Sequence, residues 1–464
     1  MTKTSPRQEA SCDAVADIQE YQTFINENPD IQAVEFLIVD PNGVMRGKWA
    51  PADSLEKAFR EGVNFPISIH GLDIWGREVP ETGLHIESGD RDGFCRAVPG
   101  TLSRVPWANR PTAQVLLSTY TPEEERLRFD CRNALMRVTK AMAKRDLYPV
   151  VAFEVEFYLL EPNPANDGSM PIPVGATAGP DRQRMYGLDD LDEYADLFDD
   201  IRAAADAQSL PIDTIIKEAA PGQFEVNLKH RCDPLKAADD VIMLRRIVFG
   251  CARKHGLQVT FMAKPFIDYA GNGMHIHASI LNGNGDNIFD GEKFDDAEQK
   301  LGGAIAELIR TMPQGLLMFI NSWNGFRRIQ PGSYAPTKAV WAENNRSVAL
   351  RIPASTSKNR RLEHRIAGAD ANPYIVLCAI LQAMMDGLEK LETPPPQVTG
   401  NAYDDDGAEL LPDDMDEALL LMQKGQFADR ALGPELSKIY KHLKRAEILA
   451  FWAEITPLEQ STYL

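Results

Sequence analysis

Cysteine is scarce in this sequence, with six in 464 residues: Cys12, Cys95, Cys131, Cys232, Cys251 and Cys378. None lies in a C-x-x-C pair, and they are too sparse for a disulfide framework, so they read as reduced thiols of a cytoplasmic protein. Long apolar runs are missing too; no stretch approaches the ~20 uncharged apolar residues of a membrane span. Met1 to Asp17 is polar and has no apolar h-region, so no secretory leader is expected. There is no G-x-x-x-x-G-K-[ST], which excludes a P-loop nucleotide site. Basic residues are the minority, 49 Lys and Arg against 68 Asp and Glu, for a net charge of −19. Phosphate-rich partners need a basic surface, so nucleic acid is not an expected partner. An acidic surface keeps a protein soluble, and it also suits a cationic substrate. Internal repeats and low-complexity runs are absent as well.

What is there is enough for two domains of a large α+β enzyme, 464 residues of which 44% are hydrophobic. Residues 1–17 read as a loose tail. Residues 18–127 mix short helices (Ile18 to Asn28, Ser54 to Glu61) with strands, among them Ala33 to Val39. Asp40-Pro41-Asn42-Gly43 then predicts a turn, with Val44 to Trp49 as the returning partner. Residues 128–464 form the larger part. It opens with an amphipathic helix, Arg132 to Arg145, whose Leu135, Val138 and Met142 share a face. Leu391 to Pro412, rich in proline, glycine and acid, reads as an exposed loop. The acidic clusters at Asp189 to Asp200 and Asp404 to Asp416 read as solvated faces.

Four segments carry chemistry. In VVAFEVEFYLL, Val150 to Leu160, strand alternation puts Glu154 and Glu156 on one face and Phe153, Val155 and Phe157 on the other. Two like charges side by side on an apolar strand repel, and a divalent cation between them removes the conflict. In KEAAPGQFEVNL, Glu218 and Glu225 fall on opposite faces of a straight strand, but Pro221-Gly222 supplies a bend that turns both inward. In AGNGMHIHAS, His275 and His277 share a face, just after Gly271 and Gly273, which let the backbone approach a ligand closely. In Asn344 to Arg365, Arg346, Arg351, Lys358 and Arg361 concentrate basic charge around Glu363. Guanidinium forks match phosphate and carboxylate oxygens. Hard oxygen ligands point to Mg²⁺ or Mn²⁺, and glutamates with arginines suggest phosphoryl transfer.

The pieces FEVEFYL, EAAPGQFEV, FMAKPF…GNGMHIHAS, RRIQPG, NRSVALRIP, RLEHR and ADANPY occur in the order and spacing of one family. On them, the chain from Ala33 onward resembles the glutamine synthetase family, bacterial type I. The resemblance implies a small β-grasp N-terminal domain and a large catalytic domain, a curved antiparallel sheet backed by helices. It implies a homo-dodecamer with active sites between subunits. Carried over residue by residue, it implies one metal on Glu156, Glu218 and Glu225 and another on Glu154, His275 and Glu363. It places ATP against His230, His277, Ser279, Arg346, Arg351, Lys358 and Arg361, and glutamate against Gly271, Arg328 and Arg365. Arg346 would also serve the transferring phosphoryl group.

Two departures bear on the substrate. The ammonia-using members place an acid on a flap, where this chain has Tyr334 in PGSYAP. They also carry an Asp in F-D-G-S-S-I, where this chain has NFPISI, with Phe65 or a neighbour at the Asp. An ammonium ion beside Phe and Tyr would be poorly paired and costly to desolvate, whereas each methylene of an alkyl amine gains roughly 0.8 kcal/mol there. Both departures resemble the γ-glutamylputrescine and γ-glutamylpolyamine synthetases. The expectation is an ATP-dependent ligase joining the glutamate γ-carboxylate to putrescine or another polyamine through γ-glutamyl phosphate. The alternatives are ethanolamine, a monoalkylamine or an aromatic amine as acceptor, glutamine synthetase itself, and an inactive structural or regulatory relative. Asp73 and His70 are candidates for deprotonating the amine, each with a structural reading beside it. Tyr403 lies near where some relatives carry a modified tyrosine, but NAYDDDG matches only in part, and no such regulation is expected.

Overall fold

A computed structural model describes residues 15–162, 171–176, 185–291, 296–405 and 407–464; the loose tail falls almost wholly outside them. The strands form two sheets. The smaller contains β1 (Ala33–Val39), β2 (Met45–Pro51), β3 (Val63–Pro66), β4 (Asp92–Ala97), β5 (Ser103–Arg104) and β6 (Thr112–Tyr120), in the order β2-β1-β6-β4-β3 with β5 on β6. The β1–β2 pair is the hairpin that the Asp-Pro-Asn-Gly turn predicts, and β6 returns parallel to β1, as in a β-grasp. Helices Ile18–Glu27 and Ser54–Arg60 cover it over a core of Val34, Phe36, Ile38, Leu55, Phe59 and Val115.

The larger sheet contains β7 (Tyr148–Leu160), β8 (Ile212–Lys217), β9 (Gln223–Leu228), β10 (Gln258–Thr260), β11 (Met274–Leu281), β12 (Trp341–Glu343), β13 (Leu350–Ile352) and β14 (Leu362–His364). Its order is β12-β13-β14-β11-β7-β9-β8, with β10 on β7. The pairings are antiparallel except for β12 with β13, which makes the curled sheet mixed. Phe153, Val155 and Phe157 of β7 point into the main core, as alternation requires. They face helices Cys131–Ala143 and Pro234–Lys254, behind which helices Asp296–Phe319 and Pro373–Lys390 pack on each other. Apolar surface buried there stabilises the fold by roughly 25 cal/mol per Å² taken from water.

A buried turn pins the smaller sheet to helices of the larger part. Asp40 is fully buried, accepts from the Asn42 and Val44 amides at 2.9 Å each, and pairs with Arg46 at 3.0 Å. Asn372 Nδ2 donates to the Asp40 carbonyl at 3.0 Å, and the buried Lys444 Nζ donates to Asn42 Oδ1 at 3.1 Å. No described helix is long and apolar enough to cross a membrane.

The segment Leu391 to Pro412 is largely the exposed loop expected, with two apolar anchors. Ala402 and Leu411 are buried, and Ala402 packs with Val340, Ala342 and Val348. Its composition is that of a loop, but its few apolar residues find a surface patch that sequence periodicity does not reveal.

Candidate active site

Register places the chemistry. On the face of β7 opposite the core, Glu154 lies across from His275 of β11, and Glu156 from Glu225 of β9. His277 lies across from Glu363 of β14, which lies across from Arg351 of β13. Directly opposed residues bring their Cβ atoms within about 4.5–5.5 Å. The expected bend at Pro221-Gly222 is a hairpin turn joining β8 to β9. Gly222 has φ +64°, and a Cβ on it would lie 2.7 Å from the Leu159 carbonyl oxygen.

Two groups of donors converge closely enough to hold a cation: Glu154, His275 and Glu363, and Glu156, Glu225 and His275. The first is the triple expected from the sequence. The second shares Glu156 and Glu225 with the other expected triple, while Glu218 stands outside it, on the turn just beyond Lys217. Burial pushes the carboxyls of Glu156, Glu218 and Glu225 above the ordinary carboxylate range, and the neighbouring carboxylates add to it. Burial also acts on Glu154, but hydrogen bonds with His275 and His277 outweigh it and hold that carboxyl below its ordinary value. Burial of Glu363 is likewise outweighed by Arg365 and the two histidines. His275 is pushed down to about 4 by burial and Arg365, so its imidazole is neutral at pH 7. Arg361 Nε donates to His277 Nδ1 at 3.3 Å, which leaves His277 Nε2 as the donor to Glu154 Oε1 at 2.8 Å. Ionised carboxylates, a neutral imidazole and crowded carboxyls held short of ionisation together fit hard divalent cations such as Mg²⁺ or Mn²⁺.

Arginines and glycines frame this cluster. Glu363, 1% exposed, accepts from Arg351 Nη1 at 2.7 Å and pairs with Arg365. The buried Arg328 donates Nη1 to the Ile366 carbonyl at 2.8 Å. A Cβ on Gly273 would lie 2.6 Å from Arg328 Nη2, and one on Gly271 would lie 2.8 Å from Arg328 Cγ. Gly273 also donates its amide to Glu156 Oε2 at 2.5 Å. His230, His277, Ser279, Lys358 and Arg361 line a cleft of about 1720 Å³ that reaches Glu154. Arg351 instead pairs with Glu363, and Arg346 donates Nη1 to the Tyr186 hydroxyl at 3.1 Å.

Tyr334 stands 68% exposed on its loop, with φ +58°. A bulky residue in that left-handed region costs on the order of 1–3 kcal/mol and persists where its surroundings hold it. Phe65 is separate from it: its side chain turns into the small core, under Lys48 Nζ at 4.4 Å from the ring centroid. The exposed residues of that strand are Asn64 and Pro66. His70 and Asp73 have structural roles here. His70 is fully buried, 3.0 Å from Thr119 Oγ1 through Nε2, and Asp73 accepts from the amides of Trp75 and Arg77 and pairs with Arg77.

Sequence reasoning missed two residues. Tyr186, φ +63°, meets Arg346 from 160 positions away. Lys217 is 1% exposed and donates Nζ to the carbonyls of Glu218 and Ala220 at 2.6 Å each, bracing the turn that carries Glu218. A lysine closing the strand Ile212–Lys217 directly after Ile215 and Ile216 and next to Glu218 was the available signal for the second; the first left none.

A curled sheet carrying acidic and histidine ligands on one face, with arginines around them, is the plan of a glutamine synthetase catalytic domain. The family model described as "Glutamine synthetase, catalytic domain" matches residues 128–463. The chain belongs to the glutamine synthetase family. It is 38% identical over 445 residues to gamma-glutamylputrescine synthetase PuuA of Escherichia coli K12, covering 95% of this chain and 93% of that one. It is 31% identical to a glutamine synthetase of Pyrococcus abyssi, over 89% of each chain. Solved structures of GmaS, one in complex with ADP and one without ligand, superpose with a TM-score of 0.83 at 26% identity, covering 95% of this chain and 98% of theirs.

Proposed function

We propose that this protein joins the γ-carboxylate of glutamate to an alkyl amine at the expense of ATP, with putrescine or another polyamine as the acceptor. The observation that carries the reading is the pairing of an intact carboxylate–histidine cluster with Tyr334 where ammonia-using relatives carry an acid. The similarity to PuuA supports the choice of amine. Divalent cations would be held by Glu154, His275 and Glu363, and by Glu156 and Glu225 with Glu218 close by. Bound there, they would neutralise phosphoryl and carboxylate oxygens.

The chain's own residues divide the remaining work. Arg328 and Arg365, beside Gly271, orient glutamate. His230, His277, Ser279, Lys358, Arg361 and Arg351 hold the nucleotide, and Arg346 offsets charge on the transferring phosphoryl group. A γ-carboxylate oxygen attacks the γ-phosphorus and ADP leaves. The amine nitrogen, having given up a proton, then attacks the carbonyl carbon of γ-glutamyl phosphate, and phosphate leaves. Residues 18–127 act as the N-terminal domain of a subunit in a ring assembly, packed on that subunit's own larger domain. Pro66 and Asn64 of one copy would face the Tyr334 loop of the next, with Phe65 holding that strand from within.

The test is product analysis. ADP and phosphate are expected, and methionine sulfoximine with ATP is expected to inhibit slowly and tightly, as a phosphorylated mimic of the tetrahedral adduct. Release of AMP and pyrophosphate would replace this mechanism with an adenylate one.

The cluster also sets a pH dependence. The raised carboxyls of Glu156, Glu218 and Glu225 keep protons in the folded chain that the unfolded chain releases. Their contribution to stability is full below the ordinary carboxylate pKa and is lost as pH rises through the elevated values. A divalent cation competes with those protons. Mg²⁺ is therefore expected to raise Tm more at about pH 8 than at about pH 5.5, relative to EDTA, in a thermal melt. An equal shift at both values would place the metal elsewhere.

A further inference from the structure

The segment Leu391 to Pro412 touches both the Tyr334 loop and the Arg346 loop. One end of it reaches the Tyr334 loop: the Tyr403 hydroxyl donates to the Ala335 carbonyl at 2.9 Å. The Ala335 amide is tied from the other side by Ser333 Oγ at 3.2 Å, and Ser333 Oγ donates to the Gln330 carbonyl at 2.6 Å. Pro336 follows and has no N–H to anchor. Both polar groups of the residue after Tyr334 are thus fixed, and among the described residues the carbonyl is held by Tyr403. Lys338 Nζ donates back to the Tyr403 carbonyl at 3.0 Å, closing the contact.

The other end reaches the Arg346 loop. Asn345 Nδ2 donates to the Gly400 carbonyl at 2.7 Å, and the Ala402 amide donates to Ser347 Oγ at 3.0 Å. Ser347 Oγ donates in turn to Asn345 Oδ1 at 2.7 Å, so the residues on either side of Arg346 are joined to each other and to the segment. Between the two ends, Asn401 caps a single 3₁₀ turn, Ala402–Asp404, and the buried Ala402 seats it on Val340, Ala342 and Val348. Half-buried, the Tyr403 phenol is raised above its ordinary value, chiefly by desolvation, so it remains a donor at neutral pH. It also lies close enough to Arg328 and Arg365 to feel their charge.

We propose that residues 400–405 brace the two loops together, and that Tyr403 is a positioning residue that fixes Tyr334 for amine recognition. The proposal rests on the reading of Tyr334 given above. It accounts for what holds the left-handed backbone of a tyrosine that is 68% exposed: the restraint comes from Tyr403 through the Ala335 carbonyl rather than from burial of the Tyr334 ring.

Tyr403→Phe removes the hydroxyl and keeps the ring. In the full-length protein, hydrogen exchange of the peptide spanning 331–337 is expected to speed up about three- to tenfold, the value of one net hydrogen bond. With putrescine as the probe, KM for the amine is expected to rise by a similar factor while KM for ATP is unchanged. Unchanged exchange would overturn the brace, and so would an equal rise in both KM values, which marks general loosening. Faster exchange with an unchanged putrescine KM would overturn the positioning role. If Tyr403→Phe fails to fold, Ser333→Ala unties the same residue from its other side and is read in the same two ways. If the wild-type protein turns over no amine, the proposed function falls. Exchange alone then decides the brace, since acceleration confined to 331–337 supports it and none overturns it.

Discussion

Glu156→Ala and Glu363→Ala are each expected to lower amine-dependent phosphate release by about three orders of magnitude or more, a loss of ~4 kcal/mol of transition-state stabilisation. Their stabilities are expected to part. Glu363 is buried between Arg351 and Arg365, and the Nε atoms of both arginines have no hydrogen-bond partner among the described residues. Removing the carboxylate leaves two buried cations facing each other, which typically destabilises by about 3–5 kcal/mol. Glu156 instead adds to the repulsion on Glu225 and is itself raised by Glu218. Without metal, its replacement is expected to leave Tm unchanged or slightly higher, and with Mg²⁺ to reduce the metal-dependent gain. Phosphate release and thermal melts of the two variants, with and without EDTA, check both halves. Wild-type turnover in either variant would remove the two-metal assignment.

The second large effect concerns the amine. Putrescine or a longer polyamine is expected to exceed ammonia in kcat/KM by about two orders of magnitude or more, which needs ~3 kcal/mol of differential transition-state binding. At roughly 0.8 kcal/mol per methylene, four methylenes in contact with Tyr334 and its surroundings come close to that without further help. The far ammonium adds attraction to a chain of net charge −19, more strongly at low salt. Tyr334→Glu is expected to narrow the gap, mainly by weakening polyamine use. The measurement is phosphate release with glutamate, ATP and a panel of ammonia, ethylamine, ethanolamine, aniline, putrescine, cadaverine and spermidine. A win for ammonia sinks the reading of Tyr334. A clear win for a monoamine keeps the apolar pocket and removes the polyamine.

The cluster was legible because strand chemistry repeats every second residue. FEVEF shows its two faces in the sequence, and Pro221-Gly222 shows its turn. The order of strands in the sheet, and the parallel β12–β13 pair that departs from the antiparallel sheet expected, came from the structure, since alternation fixes a face and not a neighbour. What stayed hidden depends on meetings between distant segments. Tyr186 meets Arg346, and Tyr403 meets Ala335, through irregular backbone with no period to read. Phe65 shows the opposite limit. The resemblance put Phe65 or a neighbour at the amine; the Phe65 side chain lies in the small core, which leaves its exposed neighbours Asn64 and Pro66.

The division of labour between strand and loop also has an evolutionary side. Glu154 and Glu156 are two residues apart on β7, so the pleat alone separates them by roughly 6.5–7 Å. That ruler is built from backbone ladder on both sides and does not depend on any side chain that touches the amine. A lineage can therefore rewrite 330–336, together with the tether at Tyr403, while the carboxylate–histidine cluster stays in register. Directed evolution of new amide-forming catalysts from this scaffold has its natural library there, with Tyr334, Ser333 and Tyr403 varied as one linked unit and the strands left untouched.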